Sequence, residues 1–427
     1  MNVLLLGSGG REHTLAWSIS KSPKLDTLFI APGNPGTAQH GENVEVSLSD
    51  FDGILSFIEK NDIKLTVVGP EQPLVDGITD FLESKGHAVF GPSKKAAQLE
   101  GSKEFAKKFM KKNRIPTAGY ESFGQDEFDD AFSYIQERDE YPVVLKADGL
   151  AGGKGVFICE TEEEVQKRLE QLQEDAKLSD AAERLVVEEF MEGEEASVFV
   201  ISDGQTAKIF HNAQDHKRIG EGDTGLNTGG MGAYSPAPVI QGDMLQIVEK
   251  EIILPTISGM LLDEMPYKGI LYVGLMITEQ GPKVVEYNCR FGDPECQAIV
   301  PSLKSDLLEL MLAAAQEDLV GHDVELDNKY RCCVVMASEG YPTSYKKGFP
   351  ISGIEEVADD AHVFHAGTAM KDGQLVTAGG RVLSVVGAGD TLEDAIQKTY
   401  QEIKKISFDN AYYRSDIGVK GLAHLEK

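Results

Sequence analysis

The segment Lys146-Ala-Asp-Gly-Leu-Ala-Gly-Gly-Lys-Gly155 lies between two stretches that the apolar pattern predicts as strands, residues 141–146 and 156–159. It is not a Walker A motif, because the first glycine of that motif is replaced by Asp148 and the final Ser or Thr by Gly155. The backbone amides of a glycine-rich loop between strands can instead close over a polyphosphate, while Lys146 neutralises its oxygens. The alternative is a flexible surface hairpin.

Strand and helix patterns alternate through the first hundred residues. Strands are predicted at residues 3–6, 28–31, 65–68 and 88–90, with helices at 11–20 and 54–60. Such alternation is typical of a parallel sheet covered by helices, which binds ligands at the carboxyl ends of its strands. Glycine and proline are concentrated at those ends, in residues 7–10, 32–36 and 69–70.

The turn Gly7-Ser-Gly-Gly10 predicts an anion site at a helix N-terminus. A dinucleotide site is disfavoured, because Glu12 occupies the place of the third glycine and the second strand lacks a terminal acid. A smaller phosphate ester fits better. Glu71, after the third strand, could reach ribose hydroxyls, and the alternative is a solvated acid in a loop.

The predicted strand at residues 283–288 places Glu286 and Asn288 on one face, because strand side chains alternate. Oxygen ligands of this kind suit Mg²⁺, which completes its shell with water and nucleotide phosphate. Arg290 follows at a position suited to a carboxylate or a phosphate. The alternative is an exposed face with an ordinary salt bridge.

Residues 211–236 have no apolar run and are predicted as one long loop, which in compact domains is usually functional or disordered. Within it, Asp215 and Lys217 could bind the amine and carboxylate of a small zwitterion. Antiparallel strand pairs are predicted on either side, at 196–202 with 206–210 and at 270–278 with 283–288.

Composition excludes several classes of protein. The 427 residues include 70 acidic and 41 basic side chains, a net charge of −29 that disfavours nucleic acid and anionic membranes as partners. Five cysteines without a C-x-x-C pair favour buried thiols over disulfides or zinc. The N-terminus lacks the features of a signal peptide, and no apolar stretch is long enough for a membrane helix. A cytoplasmic protein is predicted.

Together these motifs resemble the phosphoribosylamine–glycine ligase family of the ATP-grasp superfamily. The resemblance extends over essentially the whole chain, through residues 7–13, 101–103, 146–155, 187–190, 197, 227–236, 290–295 and 413–418. The segments 227–236 and 290–295 are its most specific part, whereas the N-terminal glycines are not specific.

The resemblance implies a multidomain α/β and α+β fold. Residues 1–101 would form a parallel α/β domain, and residues 102–328 an ATP-grasp core with a mobile lid at about 115–192. Residues 329–427 would form a small α+β domain. The implied reaction joins glycine to 5-phosphoribosylamine with ATP as a substrate and Mg²⁺ or Mn²⁺ as the metal. The implied partners are these small molecules and, transiently, the enzyme that supplies phosphoribosylamine.

The resemblance also implies roles for individual residues. ATP would contact Lys103, Lys146, Gly152, Gly153, Lys154, Gly155, Glu188, Phe190 and Glu195. Glycine would contact Asp215, Lys217, Arg290 and Gly292. Phosphoribosylamine would contact Gly9, Gly10, Asn34, Pro35, Gly36 and Glu71. The metal would lie at Glu286 and Asn288, and the catalytic side chains would be Arg290 and Lys146. The alternatives are another ATP-grasp carboxylate–amine ligase, a non-catalytic nucleotide-binding protein and, disfavoured by Glu12, a nicotinamide oxidoreductase.

Overall fold

The computed structural model of the chain describes residues 1–150, 155–174 and 184–425. The first strands are β1 Asn2–Gly7, β2 Thr27–Pro32, β3 Glu42–Asn43, β4 Ile63–Val68 and β5 Val89–Phe90. They form a parallel sheet in the order β3-β2-β1-β4-β5. The helices of this part are α1 Gly10–Ile19, α2 Phe51–Lys60, α3 Glu71–Asp76 and α4 Ile78–Glu83. The predicted parallel N-terminal α/β arrangement is therefore confirmed.

The turn from β1 into α1 requires glycine. Gly7 has a φ of +125°, and a Cβ atom there would lie 2.4 Å from Cγ of Glu12. The side chain of Glu12 folds back under this turn, where its Oε2 accepts a hydrogen bond of 2.6 Å from the N–H of Gly9. A residue with a side chain at position 7 would therefore displace both the turn and Glu12.

A separate antiparallel sheet, the lid sheet, follows two helices, α5 Gln98–Gly101 and α6 Lys103–Lys112. Its strands are β6 Tyr120–Gly124, β7 Val143–Ala147, β8 Val156–Cys159 and β9 Arg184–Glu189, in the order β6-β9-β7-β8. The helices α7 Phe128–Arg138 and α8 Glu162–Glu174 cover it. One apolar cluster, which includes Ile135, Leu145 and Leu169, fills the space between the sheet and these helices.

A third sheet, the large sheet, is formed by strands from the rest of the chain. Its strands are β10 Glu194–Asp203, β11 Ala207–Asp215, β14 Gly232–Ser235, β15 Lys268–Thr278, β16 Gly281–Asn288, β17 Tyr330–Ser338, β18 His362–His365, β21 Arg381–Gly389 and β22 Ala411–Tyr412. The main order is β16-β15-β10-β11-β14-β17-β21-β18, with β22 on β17. Two short pairs lie outside it, β12 Arg218–Gly220 with β13 Thr224–Asn227 and β19 Thr368–Lys371 with β20 Gln374–Thr377.

The prediction of one long loop at residues 211–236 was wrong. The structure places β12, β13, β14 and the end of β11 in this range. The buried strand β14 pairs with β11 on one side and with β17 on the other. Its stability comes from these ladders and from burial, so a strand of only four residues, Gly-Ala-Tyr-Ser, forms without strong strand propensity of its own.

The remaining helices are α9 Asp243–Val248, α10 Leu254–Leu262, α11 Glu295–Ile299, α12 Leu307–Ala315, α13 Leu392–Ile403 and α14 Val419–Leu425. Two apolar clusters each combine strands of the N-terminal sheet with strands of the large sheet. All five cysteines are free and buried, as predicted. Within the described residues, none of the helices has the length and apolar character that crossing a membrane requires.

Candidate active site

Among the described residues, hydrogen bonds connect the start of α1, the segment that follows β16 and the lid sheet, which carry several of the predicted site residues. Arg11 on α1 donates through Nη1 to the carbonyl oxygen of Phe291 at 3.0 Å, and its backbone N–H donates to Oδ2 of Asp293 at 3.1 Å. From the lid sheet, Nζ of Lys146 donates to the carbonyl oxygen of Val285 at 3.3 Å. These contacts bring three distant parts of the sequence to one cleft.

Arg290 is held on several sides just beyond β16. Its Nη2 donates to Oε1 of Glu100 at 2.9 Å and to Oδ1 of Asn288 at 3.0 Å. Its Nε donates to Oε2 of Glu71 at 3.3 Å, and Glu71 is the first residue of α3 rather than a loop residue. Burial alone would lower the pKa of Arg290, but Glu100 and Glu71 raise it above its ordinary value. The guanidinium is therefore a fixed positive charge.

Glu286 lies among several cationic groups. Burial would raise the pKa of Glu286, but the ammonium groups of Lys217 and Lys146 lower it below its ordinary value. Lys103 and Arg290 act in the same direction. The carboxylate therefore stays ionised at neutral pH.

The donor set at the end of β16 fits a hard divalent cation. Glu286 supplies an ionised carboxylate, and Asn288, two residues further along the strand, supplies an amide oxygen. Oδ1 of Asn288 already accepts from Arg290, but an amide oxygen has a second lone pair available for a metal. Mg²⁺ commonly takes one or two protein ligands of this kind.

One of the two predicted phosphate lysines contacts the glycine-rich segment, and the other lies at its start. Lys103 begins α6, and its Nζ donates to the carbonyl oxygen of Gly149 at 3.1 Å. Burial lowers the pKa of Lys103, and Glu286 opposes that change. Lys146 lies on β7. The carbonyl oxygen of Gly155 accepts from the N–H of Ala147 at 2.8 Å, whereas Gly152, Gly153 and Lys154 lie outside the described residues.

The residues predicted to bind adenine differ in exposure. Glu188, on β9, is 3% exposed, and its Oε2 lies 3.0 Å from Nζ of Lys146 and 3.1 Å from Nζ of Lys107. Phe190, which follows the strand, is 38% exposed. Lys107 was not among the predicted site residues, although it lies four residues after Lys103 and therefore on the same side of α6.

The structure brings a predicted ribose ligand and a predicted glycine ligand together. Nζ of Lys217 donates to Oε2 of Glu195 at 2.6 Å. Burial raises the pKa of Asp215 to about 8, and Lys217 opposes that change. Gly292 lies beside Glu295, because a Cβ atom at position 292 would lie 2.4 Å from Oε2 of that side chain. The acidic groups around Lys217 hold it in its charged form.

The amide groups predicted to bind phosphate at the start of α1 face carboxylates in the structure. The N–H of Gly9 donates to Glu12, and a Cβ atom at Gly9 would also lie 3.3 Å from Oδ2 of Asp293. Gly10 is buried, and a Cβ atom there would lie 2.5 Å from Nε2 of Gln297. A phosphate at this turn would have to compete with Glu12 for the N–H of Gly9.

The side chain of Asn34 is used within the protein. Its Oδ1 accepts from the N–H groups of Gly36 and Thr37 at 2.7 and 3.0 Å. Its Nδ2 donates to the carbonyl oxygens of Ser8 and His365 at 2.8 and 2.9 Å. Asn34 therefore shapes the loop instead of offering its amide to a ligand. Half-buried Pro35 lies in the same loop.

Two buried carboxylates at the site were also not predicted as site residues from the sequence. Glu100 accepts from Arg290 and from the N–H of Cys289 at 2.7 Å. It immediately precedes the matched segment at residues 101–103, which is a signal that could have identified it. Glu12 was considered only as evidence against a dinucleotide motif, whereas the structure shows that it closes the first turn.

Three models of one family match the chain in succession. The phosphoribosylglycinamide synthetase N domain matches residues 1–100, the ATP-grasp (A) domain residues 101–296 and the C domain residues 331–420. The chain is 49% identical over 423 residues to the phosphoribosylamine–glycine ligase of Agrobacterium fabrum, with 99% of each chain covered.

Solved structures support the same family assignment. The crystal structure of phosphoribosylamine–glycine ligase from Thermotoga maritima has 34% identity and a TM-score of 0.83, covering 98% of this chain and 100% of that one. The biotin carboxylase domain of Hydrogenobacter thermophilus 2-oxoglutarate carboxylase, in complex with MgADP, shares the fold alone. It has 16% identity and a TM-score of 0.74, covering 96% of this chain and 91% of that one. With all three domain models matched in order and a close relative aligned over nearly its full length, the chain belongs to the phosphoribosylglycinamide synthetase family of ATP-grasp enzymes, as its motifs predicted.

Proposed function

We propose that the chain joins glycine to 5-phosphoribosylamine with ATP, giving glycinamide ribonucleotide, ADP and phosphate. Beyond family membership, the observation that carries this proposal is the meeting of four cationic side chains around the ionised Glu286. The cations are Lys103, Lys146, Lys217 and Arg290. Such a cluster suits a reaction in which a carboxylate and several phosphates must come together.

The chemistry has two steps. An oxygen of the glycine carboxylate attacks the γ-phosphorus of ATP, and the bond from that phosphorus to ADP breaks, giving glycyl phosphate. The amine nitrogen of phosphoribosylamine then attacks the glycyl carbonyl carbon, phosphate leaves and the nitrogen loses a proton. No covalent intermediate with the enzyme is needed, so catalysis consists of positioning the reactants and stabilising charge.

In this proposal Lys103 and Lys146 neutralise the ATP phosphates, and Glu188 with the backbone of Phe190 binds adenine. Glu286 and Asn288 would hold a divalent cation, Mg²⁺ or Mn²⁺. When bound, the cation supplies charge neutralisation at the phosphate oxygens.

The acceptor side of the cleft would bind glycine and phosphoribosylamine. Asp215 and Lys217 suit the amine and the carboxylate of glycine, and Arg290 suits the transferred phosphate. Glu71 already pairs with Arg290, so it would link the phosphoribosylamine site to the phosphate site. Closure of the lid at residues 115–192 would exclude water, because both glycyl phosphate and phosphoribosylamine hydrolyse. The proposal includes a cytoplasmic location and transient contact with the enzyme that supplies phosphoribosylamine.

The direct test measures ADP release while each substrate is withheld in turn. We expect turnover only when ATP, glycine and phosphoribosylamine are all present, with glycinamide ribonucleotide detected by mass spectrometry. Turnover that persists without glycine, but requires another small carboxylate, would point to a different ATP-grasp ligase. ATP binding with no turnover under any combination would indicate a non-catalytic nucleotide-binding protein.

We expect Lys217→Met to raise the KM for glycine about 10- to 100-fold, because a charged hydrogen bond to the substrate is lost. Its present partner, Glu195, is 44% exposed and can be solvated instead, so the KM for ATP should change much less. Steady-state rates with varied glycine at saturating ATP and phosphoribosylamine measure the effect. The exposed Lys250→Met is the control, and an unchanged KM for glycine in Lys217→Met would remove that residue from the glycine site.

A further inference from the structure

The ammonium group of Lys107 is buried beside the carboxylate that the proposed function assigns to adenine. The side chains of Lys107 on α6 and Glu188 on β9 are only 2% and 3% exposed, and their charged atoms lie 3.1 Å apart. Water and salt screen a pair this deeply buried only weakly. Lys107 and Glu188 therefore form a close, buried ion pair.

Lys107 is fixed in place by further contacts. Its Nζ donates to Oγ1 of Thr117 at 2.8 Å and to the carbonyl oxygen of Ala118 at 3.4 Å. Thr117 in turn donates to the carbonyl oxygen of Val284 on β16 at 2.7 Å. With Glu188, these acceptors use all three donors of the ammonium group. Lys107 thus has no donor left for an ATP phosphate.

Lys146 shares the same carboxylate oxygen but has another proposed role. Its Nζ lies 3.0 Å from Oε2 of Glu188. One ammonium group cannot hold this oxygen firmly while it also neutralises the ATP phosphates. If Lys146 serves the phosphates, as the proposed function assigns it, Lys107 remains as the counterion of Glu188.

The other oxygen of Glu188 is open to a ligand. Oε1 is buried and has no hydrogen-bond partner among the residues that the structure describes. A buried carboxylate oxygen without a partner is costly, so it calls for a donor from outside the chain. The 6-amino group of adenine is such a donor, whereas a purine with a carbonyl at position 6 presents an acceptor, which offers this oxygen no hydrogen.

We propose that Lys107 is a positioning residue that makes the nucleotide site select a 6-amino purine, by holding Oε2 of Glu188 so that Oε1 stays free to accept a hydrogen bond. This inference rests on the proposed function, which assigns adenine to Glu188. Without Lys107, the carboxyl group of Glu188 loses the partner that fixes Oε2, so Oε1 is no longer held in its accepting position. Discrimination between the two kinds of purine would then weaken.

The test compares ATP with ITP, which carries a carbonyl at position 6. Calorimetry without glycine gives the Kd of each nucleotide, and steady-state assays give kcat and KM. For Lys107→Met we expect the Kd and KM for ATP to rise about 10- to 100-fold with little change in kcat. The ratio of the affinity for ATP to that for ITP should fall about tenfold or more, because the variant loses less affinity for ITP than for ATP. Lys107→Arg, which keeps the charge, should retain most of the preference.

Lys108→Met is the matched control. It removes an exposed lysine at the next position of the same helix, where it pairs with Glu104, and should keep the wild-type preference. If Lys107→Met does not fold, Lys107→Gln replaces it, because glutamine keeps a donor for Thr117 without a charge. A wild-type ratio of ATP to ITP affinity in a folded, neutral Lys107 variant would overturn the proposal, as would equal losses for both nucleotides. If the wild-type protein releases no ADP when all substrates are present, the proposed function fails. The calorimetric Kd values for ATP and ITP would still test the role of Lys107.

Discussion

Replacing Glu286 by glutamine is expected to lower kcat about a thousandfold or more, because the proposed metal site loses its one ionised ligand. Glutamine keeps the size of the side chain but lacks the charge that the surrounding cations hold in ionised form. The cation would then be held only by neutral oxygens and by the nucleotide. Rates of ADP release with glycine and phosphoribosylamine, measured over a wide range of Mg²⁺ concentrations, give the effect.

The matched control for this variant is Glu279→Gln, which alters an exposed glutamate in the turn between β15 and β16. It should keep the wild-type rate and the wild-type dependence on Mg²⁺. Circular dichroism should show that both variants are folded. A Glu286→Gln variant with near-normal kcat at low Mg²⁺ would remove Glu286 from the metal site.

Changing Arg290 to lysine should lower kcat about 100- to 1,000-fold although the positive charge is kept, the usual cost of losing one donor that stabilises a transition state. The guanidinium contacts Glu71, Glu100 and Asn288 at the same time. A single ammonium group cannot keep these contacts and also face a transferred phosphate. The buried carboxylate of Glu100 would lose its guanidinium partner and keep the N–H of Cys289, so some loss of thermal stability is expected as well.

Single-turnover rates of ATP cleavage with saturating glycine separate this effect from product release. Arg138→Lys is the control, because Arg138 lies exposed on α7 and pairs with the neighbouring side chains of Glu140 and Tyr134. An Arg290→Lys enzyme that cleaved ATP at the wild-type rate would contradict a role for the guanidinium in phosphate transfer.

The local sequence was sufficient to predict those elements that have a clear apolar pattern. Strand β1 was predicted because an apolar run ends at Gly7, and the alternation that follows it identifies a parallel sheet. The face shared by Glu286 and Asn288 was predicted from strand periodicity, and the cations around Glu286 are consistent with it. Strand β14 was missed because it exists through its ladders with β11 and β17, and no local pattern encodes this pairing.

Site residues that belong to a sequence motif could be predicted. Residues that reach the site only through tertiary contacts could not. Glu100 and Lys107 lie next to matched segments, but only the tertiary structure places them against Arg290 and Glu188. In the same way, the sequence could not reveal that the amide of Asn34 is consumed by four internal hydrogen bonds. Nor could it reveal that Glu12 occupies the N–H of Gly9.

Among the described residues, the lid sheet has a ladder and an apolar cluster of its own, whereas the N-terminal sheet shares its clusters with the large sheet. The two assemblies can therefore lose their structure in separate steps. Native-state hydrogen exchange should show the amides of β7 and β9 opening together at a lower free energy than those of β10 and β15. Thermal denaturation would then pass through a state in which only the lid has melted, so one melting temperature would not describe this enzyme.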